Sequence, residues 1–182
     1  AAVARDPVPA APIGDTSNKP LASDFPDNLA SDGPQFLITA VRTEGDALLP
    51  GTTFLNVARP FLGRELGAAH IGVLLDRLNQ SLIEAGYTTS RAYVGQQNLT
   101  EGVLRITFVA GRIEQIRYLN KPLDESVPYG LLLAMPMREG DVLRLPDIEQ
   151  AVDQLNRARA GVRVQILPGT QAGGSIVAFD AA

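Results

Sequence analysis

Cysteine is absent from the 182 residues, which excludes disulfides, a thiolate metal site and a cysteine nucleophile. Histidine occurs once, at His70, so no second imidazole is available to complete a site. Long apolar runs are also missing. The run Gly130-Leu131-Leu132-Leu133-Ala134-Met135 falls far short of the ~20 residues that a bilayer-spanning helix needs. The N-terminus has no charged region followed by an apolar one, so a signal peptide is expected to have been removed. A basic balance is lacking as well. Residues 1–35 carry −3, residues 36–111 sum to zero and residues 112–182 carry −1, which disfavours duplex nucleic acid as a principal ligand.

Apolar residues make up 45% and charged residues 20%, enough for a packed core. The length suits one medium domain or two small ones. Six of the thirteen prolines lie in residues 1–35, with five aspartates and no helical or strand period, so this stretch reads as a flexible, partly extended linker. From Phe36 the texture changes. Phe36 to Val41 reads as a strand leaving into a turn at Gly45, and residues 53–61 as a short helix ending near Pro60. Between Ala68 and Ala85 the positions Ile71, Leu74, Leu75, Leu78 and Leu82 recur at helical spacing, and Gly86 supplies a stop. Tyr87 to Val94 and Val103 to Val109 follow as two strands.

The order repeats after Gly111: a strand at Ile113 to Leu119, a short helix near Val127 to Met135, a helix from Pro146 to Arg159, and strands at Val162 to Leu167 and Ser175 to Phe179. Asp76-Arg77-Leu78-Asn79-Gln80 aligns with Asp153-Gln154-Leu155-Asn156-Arg157 at an offset of 77, which also pairs Ile71 with Ile148 and Leu75 with Val152. The chain therefore reads as a duplicated module of about 75 residues. In each, two helices are expected to cover one face of a three-stranded sheet, which cannot bury its apolar side alone. So small a sheet has an edge strand with unpaired backbone groups.

Candidate chemistry is sparse. His70 opens the long helix among Ala68, Ala69 and Ile71 and reads as a helix-terminal or partly packed residue rather than a catalytic one. The acidic pairs Glu44/Asp46, Asp124/Glu125 and Glu139/Asp141 suit solvated turns. None has the ligand spacing of a calcium loop. The glycines of 169–174 lie between two strands and form a hairpin turn, not a phosphate cradle. Neither a catalytic residue nor a metal or cofactor site is expected.

Gly86-Tyr87-Thr88-Thr89-Ser90-Arg91, Gln97-Asn98-Leu99, Gly102-Val103-Leu104-Arg105-Ile106 and Gly111-Arg112-Ile113-Glu114-Gln115-Ile116 together resemble the POTRA segment of two-partner secretion transporters, the TpsB or haemolysin-activator-like family. Leu145 to Asn156 resembles the helix of that family's second domain, and Leu167-Pro168-Gly169 with Gly173-Gly174-Ser175 resembles its hairpin. The resemblance implies an α+β fold of two tandem β-α-α-β-β POTRA domains, at 36–111 and 112–182, after the 1–35 linker. It also implies a following 16-stranded outer-membrane β-barrel, expected after Ala182. A plug helix belongs to the family pattern, but the Pro-rich residues 1–35 do not look like one.

The implied role is periplasmic, at the outer membrane of a Gram-negative bacterium: a non-enzymatic, monomeric receptor that captures the unfolded N-terminal secretion domain of a partner exoprotein and delivers it to the chain's own barrel. No small-molecule substrate is implied. An alternative is a scaffold for general outer-membrane protein assembly or subunit docking. Strand addition at an exposed edge supplies a physical route. In the first module the expected edge is Tyr87 to Val94, with Thr89, Arg91 and Tyr93 outward; the opposite assignment would bury Tyr87 and Tyr93. In the second, Val162, Val164 and Ile166 should face the helices and leave Arg163 and Gln165 outward. These five outward residues are the candidate client contacts, and they equally suit an ordinary solvated sheet face.

Overall fold

The computed structural model describes residues 25–29 and 33–181. The first module runs β1 (Phe36–Ile38), β2 (Ala40–Gly45), α1 (Gly51–Ala58) with a 3-10 turn over Arg59–Phe61, β3 (Arg64–Leu66), α2 (Ala68–Glu84), β4 (Arg91–Tyr93) and β5 (Val103–Val109). The second runs β6 (Arg112–Tyr118), β7 (Lys121–Pro122), α3 (Leu123–Ser126), α4 (Tyr129–Leu133), α5 (Leu145–Ala158), β8 (Val162–Pro168) and β9 (Gly174–Ala181). The sheets are ordered β1-β3, β2-β5-β4 and β7-β6-β9-β8. In each module the strand after the long helix lies at the sheet edge, antiparallel to its neighbour.

Helix α2 forms because its apolar stripe has a sheet to bury it. Leu74, Leu78 and Leu82 are fully buried in one core with Leu104, Ile106 and Phe108 of β5. In the second module Ile148, Ala151 and Leu155 of α5 share a core with Ile116, Val177 and Phe179. The offset of 77 is thus a structural register: Leu74 and Ala151, then Leu78 and Leu155, are buried at equivalent turns. Truncating either leucine to alanine would cost about 2–5 kcal/mol. Helix α2 ends in a Schellman motif, with Gly86 at φ +91° and its N–H on the Ile83 carbonyl, while the Tyr87 N–H reaches the Leu82 carbonyl at 2.8 Å.

The structure corrects several boundaries. The strand expected over Phe36 to Val41 breaks at Thr39, whose N–H and that of Ala40 both donate to the Gly102 carbonyl at 2.8 and 3.1 Å. Before the break β1 pairs antiparallel with β3, while after it β2 runs parallel to β5. The single helix expected near Val127 to Met135 is two short ones. Proline at 128 holds Val127 extended, at φ −125° and ψ 152°, and so interrupts the helix. The second sheet gains a fourth strand because Leu119 and Asn120, at φ 50° and 62°, form a two-residue turn that brings Lys121 opposite Tyr118.

Most of the expected 1–35 linker lies outside the described residues. Phe25, within it, packs on the first module. Its ring stacks on His70 at 5.3 Å and meets Phe61 edge-on at 5.5 Å, with the Arg64 guanidinium 4.4 Å from its centre.

Candidate strand-docking edges

The strand expected over Tyr87 to Val94 is confined to Arg91–Tyr93, because the residues before it are used to join the modules. The Leu145 N–H donates to the Gly86 carbonyl at 2.8 Å, and the Arg144 guanidinium lies 5.5 Å from the Tyr87 ring centre. The Ser90 hydroxyl, fully buried, accepts the Gly111 N–H at 2.9 Å. Thr89 abuts Gly111 so closely that a Cβ at that glycine would overlap the Thr89 side chain. Asp46 completes the joint, accepting the Ala110 N–H at 3.0 Å and pairing with Arg112 at 3.5 Å. Thr89 therefore stands in the joint and not on an open edge, and its buried hydroxyl oxygen has no hydrogen-bond partner.

Within β4, Arg91 and Tyr93 are exposed, Tyr93 at 48%, while Ala92 between them is buried. The backbone alternates too. Antiparallel pairing turns the polar groups of successive residues to opposite sides. The Ala92 N–H and C=O face away from β5, and both are held by Asn79 of α2: its Oδ1 accepts the N–H at 2.8 Å and its Nδ2 donates to the carbonyl at 3.1 Å. Arg91 and Tyr93 thus turn their own N–H groups inward to β5. Past Tyr93 the strand is replaced by a side chain, since the Gln97 carboxamide accepts the Arg105 N–H at 2.7 Å and donates to the Arg105 carbonyl at 2.9 Å.

In the second module Arg163 and Gln165 are exposed on β8, Val162 is buried and Val164 half-buried, as the alternation implies. Ile166, expected to face the helices, is instead 39% exposed and lies outside the core that takes in Val162 and Val164. Asn156 occupies the position of Asn79 and accepts the Val162 N–H at 2.8 Å. At the far end of the ladder the Gly169 N–H donates to the Gly174 carbonyl at 2.8 Å, which fixes the phase. Arg163, Gln165 and Leu167 bond to β9, whereas Val162, Val164 and Ile166 turn their backbone groups outward.

The hairpin joining β8 and β9 is anchored by Glu114, the extra residue of a bulge in β6. Its carboxylate accepts the N–H groups of Thr170 at 2.8 Å and Gln171 at 2.5 Å, with the Thr170 hydroxyl at 3.2 Å. The Thr170 and Gln171 backbone bonds hold its pKa below the ordinary carboxylate value.

The remaining candidate groups have structural tasks. His70 Nδ1 accepts the Gly67 N–H at 3.1 Å, and the ring is 6% exposed. Glu139 accepts the Ile116 N–H, Asp141 the Arg138 N–H, and Glu44 pairs with Arg105 at 3.8 Å. A cavity of about 640 Å³ below α3 and α4 is lined by Met135, Met137 and Leu132 together with Asp124 and Glu125. Among the described residues no cluster of histidine and acidic groups could hold a metal, and no helix is long and apolar enough to cross a membrane. Sequence reasoning missed the two asparagines as edge ligands, although their matched positions at the offset of 77 were the available signal.

The family model described as "POTRA domain, ShlB-type" matches residues 36–111, and one described as "POTRA domain" matches residues 112–168. The outer membrane transporter CdiB of Escherichia coli is 34% identical over 152 residues, covering 83% of this chain and 25% of that protein. The hemolysin transporter protein HpmB of Proteus mirabilis is 31% identical over 124 residues, 68% of this chain and 21% of its own. The solved structure of CdiB from Escherichia coli superposes with a TM-score of 0.72 at 34% identity, over 85% of this chain and 28% of that one. The chain spans about a quarter of the length of the curated relatives it matches.

Proposed function

Because the chain belongs to the POTRA family of two-partner secretion transporters, with two such domains in tandem, we propose that it is the receptor part of an outer-membrane transporter. It faces the periplasm of a Gram-negative bacterium, binds the unfolded N-terminal secretion domain of a partner exoprotein and passes it to a membrane β-barrel of the same protein. The work is recognition and delivery rather than catalysis.

The observation that supports this reading is the outward ladder of unpaired backbone groups on an edge strand with exposed apolar side chains beside it. An extended client gains hydrogen bonds there with little demand on its sequence, and adjacent side chains such as Arg163 and Gln165 supply preference. Thr89 drops out of the proposed contact set because it is half-buried at the joint, against Gly111. Arg91 and Tyr93 remain side-chain neighbours of β4.

Binding of the 182-residue chain to a fluorescent peptide from the secretion domain of the adjacently encoded exoprotein tests the proposal. Saturable binding to that peptide, with none to an unfolded outer-membrane barrel protein, is the expected result. Equal binding to both would favour a general assembly scaffold, and absence of binding to the secretion peptide would overturn the receptor reading.

A further inference from the structure

The two equivalent edges are not equally available. In β4 the only residue within the strand that turns its backbone outward is Ala92, and Asn79 satisfies both its N–H and its C=O. In β8, a strand of seven residues, Asn156 takes only the Val162 N–H, and Pro168 at the other end has no N–H to offer. Between these limits lie Val164 and Ile166, whose outward N–H and C=O groups meet no partner among the described residues.

The opposite edge of the second sheet is covered. Lys121 and Pro122 of β7 pair with its end, Glu139 takes the Ile116 N–H, and the Ile113 N–H and C=O bond to Asp141 and Gly140 at 2.9 and 2.7 Å. In the first sheet β2 is the other edge. The Asp46 N–H on the Phe108 carbonyl sets its phase, so Val41 and Thr43 face outward there. That strand carries exposed Arg42 and Glu44, the charged guard that blunts edges against pairing, and it ends on Gly45 at φ +84°. β8 carries one exposed charge, Arg163, and adds exposed apolar side chains, with Ile166 and Leu167 each 39% exposed on its two faces.

We infer that the client strand adds to β8 of the second module, in antiparallel register with Val164 and Ile166, and that the Asn79 clasp keeps the equivalent edge of the first module closed. This rests on the strand-addition reading above and names its site. Each of the two residues exchanges a pair of hydrogen bonds with the client. The matching segment is an unfolded polypeptide with apolar residues at every second position, lying beside Val164 and Ile166, and polar residues between them beside Arg163 and Gln165.

Amide hydrogen exchange on the 182-residue chain, with and without the secretion-domain peptide, reads the site by residue. Protection should rise at Val164 and Ile166 and stay unchanged at Ala92, Val41 and Thr43. Val164→Pro removes an N–H that points away from the ladder, a place where an edge strand tolerates proline, and should weaken binding by about tenfold with the fold retained. Protection gained at β4 or β2 instead, with binding intact, would overturn the inference while leaving strand addition standing. Binding with no new protection on any strand would overturn both. If Val164→Pro unfolds, the exchange pattern of the unmodified chain still decides.

Discussion

Asn79 and Ala92 are joined by two hydrogen bonds, with the carboxamide of one closing on both backbone polar groups of the other. The asparagine stands where the next strand of the sheet would stand. Replacing it by alanine leaves a half-buried N–H and C=O without their partner, so Asn79→Ala should destabilise the chain by about 1–3 kcal/mol. Asn156→Ala, which breaks a single bond to Val162, should cost less. Urea unfolding of the two variants, compared at constant slope, measures the difference. Equal costs would mean that the two clasps are alike and that the first edge is no more closed than the second.

Glu114 ties the β8–β9 hairpin to β6, and its lowered pKa fixes the direction of a pH effect. A carboxylate with a depressed folded-state pKa contributes stability that is fully present above its unfolded value, near 4.5, and is lost as pH falls through the folded value. Exchange at the Thr170 and Gln171 amides should therefore be slow and steady at pH 6 and accelerate, beyond its intrinsic pH trend, in the acid range below 4.5. Glu114→Gln should remove that acid-dependent step and loosen the hairpin at every pH. An unchanged acid profile in the variant would show that another group governs the hairpin.

The duplication, both long helices and the strands read at Val103 to Val109 and Val162 to Leu167 were legible because their signal is periodic and local. Leu74, Leu78 and Leu82 mark a buried helix face wherever they occur. What was not legible depends on contacts distant in sequence. Thr89 and Ser90 have strand character, but the chain uses them against Gly111, a partner no local pattern announces. Phe25 sits among prolines and looks like linker until His70 and Phe61 are placed beside it. The five candidate contact residues divide the same way. Arg91, Tyr93, Arg163 and Gln165 lie exposed on the edge strands, as alternation suggests, and only Thr89, beyond the end of β4, is taken away.

The β6–β7 turn was hidden for a different reason. Its two central residues both need a left-handed backbone, and Leu119 is a poor choice for it, at φ 50°. Leu119→Asn should raise stability by about 0.5–1.5 kcal/mol, since asparagine tolerates that region and the leucine is 40% exposed. A higher thermal midpoint checks this. A lower one would mean that the exposed leucine contributes more by packing than the turn costs by strain.

The joint between the modules turns on the absence of one side chain. Gly111 gives its N–H to the buried Ser90 hydroxyl, and its carbonyl accepts the Leu143 N–H at 2.8 Å, so its backbone is held from both modules at once. A methyl group there would enter the space of the Thr89 side chain, whose hydroxyl oxygen is itself enclosed. Gly111→Ala must displace either Thr89 or the second module, at a cost of about 1–3 kcal/mol for overpacking. Ser90→Ala leaves the joint its space but strands the Gly111 N–H, costing about 1–3 kcal/mol through the lost partner alone. The two variants should differ in calorimetry. Gly111→Ala, by separating the modules, should split a single unfolding transition into two, while Ser90→Ala should lower one transition and keep it whole. A single transition in both would show that Thr89 yields without the modules parting, and that their coupling rests instead on the Gly86–Leu145 bond and the Asp46–Arg112 pair.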